Sequence, residues 1–203
     1  MFAGFSQLAK PVWWYTCVMA QQIKEAPGDL AQVREFVNTR DIDEGLDQLS
    51  TPAELGAWLE KHGLLEAGAE VSAADLRRAR LFREALRGAL LSNNDGRPVP
   101  KDAARVMDDV AARARLRLRM DAGVTARLEA EGRGVDGALG RLLVIVYRSM
   151  ENDTWRRLKA CRDDTCQWAF YDQSKNRSGH WCSMESCGAK NKAQQYRERH
   201  RSG

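Results

Sequence analysis

Cys161-Arg162-Asp163-Asp164-Thr165-Cys166 and, after fifteen intervening residues, Cys182-Ser183-Met184-Glu185-Ser186-Cys187 hold four of the chain's 5 cysteines. Each pair has the spacing C-x4-C, and a hairpin-sized segment separates them. Two such pairs can bring four thiolate sulfurs to the corners of one tetrahedron, the coordination a structural Zn2+ takes. Two disulfides, or four unrelated thiols, are the alternatives. Disulfides need an oxidising compartment, of which the rest of the chain gives little sign. The spacing therefore points to one structural zinc held by Cys161, Cys166, Cys182 and Cys187. His180 lies close to Cys182, but four sulfurs already complete the shell.

The residues around the cysteines extend this reading. Gln167-Trp168-Ala169-Phe170-Tyr171-Asp172 is strand-like, Gln173 to Gly179 has turn chemistry, and His180-Trp181 leads back to Cys182. The expectation is a hairpin linking two knuckles. After Cys187-Gly188 the sequence becomes helical and basic through Arg201. Knuckle, hairpin, and knuckle at a helix start is the order of a treble-clef-like zinc fold. Trp168, Phe170 and Trp181 are its expected core. A domain this small leans on its metal, whose binding supplies about 10–16 kcal/mol of folding energy.

Charge is distributed unevenly along the 203 residues. From Trp155 onward there are 11 Lys/Arg against 5 Asp/Glu, whereas residues 1–154 carry 21 against 23. A near-neutral body thus bears a basic tail, which points to an anionic partner such as nucleic acid. Lys175, Arg177, Lys190, Lys192, Arg197 and Arg199 are the expected phosphate contacts; a solvated helix end is the plainer reading of the later ones. No apolar run reaches the length of a membrane span. Pro11 to Ala20 comes nearest to a signal-peptide core, but only Lys10 precedes it and Trp13, Trp14 and Tyr15 interrupt it. A cytoplasmic location is expected, with Cys17 a small apolar residue or free thiol.

Upstream, the periodicity is helical. Leu30, Val33 and Val37 form one stripe that runs to Asn38. Thr51-Pro52-Ala53-Glu54 is a capping box that opens a short helix with Leu55, Trp58 and Leu59 inward, ended by Gly63. Ser72 caps a longer helix bearing Leu76, Ala79, Phe82, Leu86 and Leu90, and Ser92 to Pro100 is a loop. Asp102 to Arg113 reads as a third long helix. Arg115 to Met120 alternates as a strand, turns at Asp121-Ala122-Gly123 and returns through Thr125 to Glu129. Past a Gly-rich joint, Glu131 to Gly137, a helix is expected from Ala138 to Leu158, buried at Leu142 to Val146. The predicted fold is mainly α: a helical body with one small β-hairpin, then the zinc finger.

Cys166-Gln167-Trp168-Ala169-Phe170-Tyr171-Asp172-Gln173-Ser174, with Trp181-Cys182-Ser183-Met184 and Cys187-Gly188-Ala189-Lys190, resembles the bacterial CGNR zinc finger across nearly all of residues 155–201. The family's Asn and Arg are here Ala189 and Lys190, which replaces a bidentate guanidinium with a point charge. Phe36-Val37-Asn38-Thr39, Leu49, Pro52, Leu55, Trp58-Leu59, Gly63-Leu64 and Leu81 to Leu86 resemble the helical ABATE domain that precedes this finger, over residues 28–150. The resemblance implies a stress-responsive bacterial transcription regulator that binds duplex DNA. The domain expectation is an N-terminal extension at 1–25, for which an upstream start codon would account, an ABATE-like body at 26–154 and a CGNR-type finger at 155–203. Asn38, Thr39, Asp41 and Arg83 are the polar residues expected to line a ligand pocket for a small-molecule effector, or else Asn38-Thr39 ends a helix. No nucleophile–base pair, phosphate-binding glycine loop or open metal site is present, so no enzyme is expected. A protein–protein adaptor and an RNA-binding protein are the competing functions.

Overall fold

The structure, a computed structural model, describes residues 25–120, 123 and 126–201. Cys17, the Pro11–Ala20 run and residues 121, 122 and 125 of the expected hairpin lie outside these. Helix α1 (Leu30–Val37) buries Leu30, Val33, Phe36 and Val37, the stripe its spacing dictates. A two-stranded pair follows, β1 (Arg40–Asp41) with β2 (Leu46–Asp47). Helices α2 (Pro52–Lys61) and α3 (Ala73–Ser92) both open on complete capping boxes. In α2 the Glu54 amide donates to Thr51 Oγ1 at 3.2 Å while Glu54 Oε2 accepts from the Thr51 amide at 2.7 Å. Two N-terminal amides are thereby satisfied at each helix. Helix α4 (Lys101–Arg113) leads to the antiparallel pair β3 (Leu116–Met120) and β4 (Ala126–Ala130), in the register Leu118 opposite Leu128.

Helix α5 spans Gly134–Glu151, four residues earlier at its start and seven earlier at its end than the sequence suggests. Its start takes in Gly134 and Gly137, and a Cβ on Gly137 would collide with the Gly132 carbonyl. Further along, a Cβ on Gly140 would collide with the Cβ of Ala114 and stand 3.0 Å from that of Ala130, so the glycine lets the helix lie against the β3–β4 pair. Its end comes early because Asn152 Oδ1 accepts from the Thr154 amide and hydroxyl, competing with the helix ladder, and Asp153 adopts φ +59°. A 3-10 turn at Trp155–Arg157 then delivers the chain into β5 (Leu158–Ala160), which pairs antiparallel with β6 (Ala169–Tyr171). Beyond the two expected hairpins, one in the body and one in the finger, the described residues hold a third two-stranded pair, β1 with β2.

The β5–β6 pair belongs to the same core as the helices. Trp155, Leu158, Ala160, Ala169 and Tyr171 cluster with Phe36, Val37, Phe82, Leu86, Leu90 and Leu142. Polar groups complete the joint. Asn38 Nδ2 donates to Ala169 O at 2.9 Å and Asn38 Oδ1 accepts from the Ala169 amide at 2.7 Å. Asn93 donates to the carbonyls of Trp155 and Leu158, and Asn94 to that of Ala160. Arg87 donates to Gln167 O at 2.8 Å and to Val37 O at 2.8 Å. Strands β5 and β6, on the finger side of the boundary expected between 154 and 155, thus supply apolar surface to the same core as the helices. Helix α6 (Ala189–Arg201) is the exception: none of its residues is buried.

Removing the Asn38 amide leaves both backbone groups of Ala169 unpaired in the core, a loss of about 2 kcal/mol. Asn38→Ala should lower the chemical-denaturation midpoint in one cooperative transition seen alike by helix signal and by tryptophan fluorescence. A separate early transition of the finger, with the body unchanged, would show that the two parts fold independently.

Candidate zinc centre and basic surface

Side-chain oxygens turn the chain at both knuckles. After Cys161, Asp163 Oδ1 accepts from the Thr165 amide at 3.0 Å and from its hydroxyl at 2.7 Å, while the Cys166 and Gln167 amides return to Asp163 O. Gln167 then takes φ +48°, which aims its carbonyl at Arg87. After Cys182, Ser183 Oγ accepts from the amides of Glu185 and Ser186, and a π-helical turn at Met184–Gly188 carries Cys187 into α6. The Arg162 amide donates to His180 O at 3.0 Å, which sets the second knuckle against the first.

The four sulfurs of Cys161, Cys166, Cys182 and Cys187 lie within 4.8 Å of one another. Cys166 and Cys182 are 3.6 Å apart, and Cys182 and Cys187 3.7 Å. A tetrahedron with Zn–S bonds of about 2.3 Å has edges of about 3.8 Å. These four cysteines are free thiols, Cys161 and Cys187 buried and the other two half-buried. Their electrostatics is that of groups sharing one charge. Hydrogen bonds from Cys166 and Cys182 pull Cys161 down to about 2, while Cys166 and Cys182 are pushed up chiefly by donating to it. Burial, followed by the Cys161 charge, raises Cys187. To lose their protons together, four sulfurs at this spacing need a cation, and the all-sulfur donor set fits one structural Zn2+. The ring of His180 is outside the cluster, with Nδ1 buried and unpartnered among the described residues.

The strand facing β6 is β5, upstream of Cys161, so the hairpin encloses the first knuckle rather than linking the two. Lys159 explains why the segment after β6 closes on itself. Although 1% exposed, its ammonium donates to Asp172 Oδ2 at 2.9 Å, Arg177 O at 2.5 Å and Gly179 O at 3.0 Å. Burial pushes Asp172 up, but Ser174, Lys159 and the Ser174 and Gly179 amides hold its carboxyl well below the usual range. A Cβ on Gly179 would sit 2.9 Å from the Asp172 carboxyl carbon, so only glycine fits there. Neither Lys159 nor Asp172 was identified from sequence. Of the expected finger core, Phe170 is buried but Trp168 and Trp181 are only half-buried, and Tyr171 takes a core position instead.

The structure divides the six expected phosphate contacts. Arg177 pairs with Asp153 through two contacts of 2.5 and 3.2 Å. Lys190 donates to Thr165 Oγ1 at 2.9 Å and pairs with Asp163 at 3.4 Å, tying the start of α6 to the first knuckle. The position where this chain departs from the CGNR pattern thus holds the knuckles together. Lys175, Lys192, Arg197 and Arg199 are exposed and pair with no acid among the described residues. Lys175 and Arg177 crown the Lys159-centred turn, which borders a cleft of about 640 Å3 whose other side is the second knuckle. The residues expected to line a ligand pocket are engaged within the fold. Asn38 docks β6, Thr39 Oγ1 donates to Phe36 O and accepts from Arg83, and Arg83 forks onto Asp47 at 2.7 and 2.8 Å. Asp41 accepts from the Glu44 amide on a partly exposed turn.

Body and finger together form a mostly helical scaffold that carries a four-cysteine zinc module. Residues 30–150 match the ABATE family, described as "putative stress-induced transcription regulator", and residues 157–200 match the CGNR zinc finger. The chain belongs to the ABATE family and carries a CGNR zinc finger. No curated protein matches it. Among the described residues no helix is long and apolar enough to cross a membrane.

Purified protein should contain one zinc per chain by elemental analysis. Stripping it with a strong chelator should reduce the helical dichroism by the share that α6 contributes, since α6 is anchored through the two zinc knuckles. Well under one equivalent, with these cysteines disulfide-bonded in a cell extract, would overturn the zinc assignment. Asp172→Ala leaves Lys159 charged and buried without a counter-ion, a cost of about 3–5 kcal/mol at pH 7. Because Asp172 is depressed, its contribution is complete above the unfolded carboxyl range and lost only as pH falls towards its folded value. Urea denaturation should therefore show the gap between variant and parent narrowing only in strong acid. A gap that is small at neutral pH would mean that the pair does not stabilise the fold.

Proposed function

We propose that the protein binds duplex DNA through its zinc finger, as a non-enzymatic cytoplasmic regulator of transcription. The observation that carries this reading is α6: five Lys/Arg and one Glu on thirteen residues, none of them buried, held to the fold through the two zinc knuckles. A helix polar on every side contributes no core, so its composition calls for another explanation. A cationic element of this kind fits a polyanion. The second basic element, the Lys175–Arg177 turn, is shaped by a buried ion pair and lies across one cleft from the second knuckle. Trp168 and Trp181 are both half-buried, so the finger lacks the exposed indole surface that a protein adaptor would favour. The ABATE description supports a role in transcription under stress.

Log affinity should fall with log salt at about −0.9 per phosphate contact. With Lys175, Lys192, Arg197 and Arg199 free, the slope should be about −4. Lys175→Ala and Lys192→Ala should each reduce it by about 0.9, whereas Arg177→Ala and Lys190→Ala should change it less because those cations already face carboxylates. If zinc-loaded protein shows no salt-dependent binding at about 50 mM salt, duplex binding is the wrong function.

A further inference from the structure

We propose that α6 reads sequence in the major groove of duplex DNA, with Arg199 recognising a guanine. This rests on the duplex-binding function above and adds base specificity to it. Lys190 marks the side of α6 that faces the finger, since its ammonium reaches Thr165 and Asp163 of the first knuckle. At about 100° per residue, Lys192, Gln195 and Arg199 stand about 200°, 140° and 180° from Lys190, in one stripe on the opposite side. Arg197 returns to within about 20° of Lys190. The outer stripe therefore differs from the inner side in direction although both carry cations.

The side chains of the stripe are already aimed. Arg199 Nε donates to Gln195 O at 3.2 Å, which anchors the guanidinium to the helix and leaves both terminal amino groups available. Two parallel donors match O6 and N7 of guanine. Gln195 Nε2 donates to Asn191 Oδ1 at 2.9 Å, leaving one amide hydrogen and Oε1, the pair that adenine N7 and N6 require. A helix of thirteen residues is about 20 Å long and about 10–12 Å across, and fits a B-form major groove about 12 Å wide. The deep, narrow major groove of an RNA duplex does not admit it. Among the described residues, the bonds of Gln195 and Arg199 stay within α6 itself.

The test selects from a random duplex library with full-length, zinc-loaded protein and repeats the selection with Arg199→Lys, Arg199→Ala and Arg197→Ala. All three changes lie on exposed positions, and zinc content checks that each variant retains the finger. The parent should enrich a motif containing a guanine. Arg199→Lys should keep the salt slope but lose about tenfold to a hundredfold of discrimination at that base pair, since the bidentate contact is gone. Arg199→Ala should lose the same discrimination. Arg197→Ala, on the side of the helix opposite the stripe, should retain the motif. Salt-dependent binding without any motif, or a motif that survives Arg199→Ala, would overturn base reading and leave duplex binding standing. Absence of binding at about 50 mM salt would overturn both.

Discussion

The side-chain amide of Asn38, at the end of α1, bonds both the amide and the carbonyl of Ala169. An asparagine here imitates a neighbouring strand, and it fixes β6 in height and rotation against the helices. Arg87 adds a second tie by accepting no substitute geometry: its fork joins Val37 and Gln167, one group from the body and one from the first knuckle. The position of every later element descends from these contacts. Strand β6 places Cys161 and Cys166 through its partner β5 and the knuckle between them, zinc joins those sulfurs to Cys182 and Cys187, and Cys187 starts α6. The direction in which the basic helix points is thus set, step by step, by an amide in the first helix.

Three buried cations are tolerated because each has a full set of partners. Lys159 has three acceptors, one of them charged. Arg83 is 1% exposed, and although burial pulls its affinity for the proton down, Asp47 and Glu84 raise it above the ordinary value. Arg87 is pushed down by burial, against the pull of Glu84. Desolvating such ions costs several kcal/mol each, and breaking one partnership leaves an uncompensated charge. What these pairs contribute is geometry: Lys159 shapes the basic turn, Arg83 and Asp47 close the β1–β2 excursion, and Arg87 spans body and finger. The polar residues near Asn38 thus serve as a scaffold, each bonded to a neighbouring element.

Helix α6 stands at the other extreme. A thirteen-residue helix with no apolar face is marginal in water on its own. Here its first turn is anchored by Cys187, by Gly188 and by the Lys190 tie to the first knuckle, and its later turns carry i,i+4 pairs such as Gln194 with Glu198 and the stacked rings of Tyr196 and His200. Metal binding and helix orientation are coupled as a result. A partner that grips α6 engages an element whose order depends on the knuckles, and the knuckles are built on the body core.

Local chemistry was legible in the chain itself. Cysteine spacing specifies the zinc ligands because tetrahedral coordination needs two close pairs, and Thr51/Glu54 and Ser72/Asp75 announce their helices because capping is satisfied within four residues. The alternation Arg115 to Met120 likewise appears as β3. What depends on contacts between distant segments was not legible. Asn38 looks like a helix end until Ala169 arrives beside it, 131 residues later. The true partner of β6, the early end of α5 and the burial of Lys159 all follow from β5 entering the helical core, a choice governed by apolar packing that no short window records. The same holds for the basic residues: composition says that the tail is cationic, but only the folded chain assigns Arg177 and Lys190 to acids and leaves Arg199 facing outward. Electrostatic pairing is decided by distances of a few ångströms, and those distances exist only once the tertiary structure has formed.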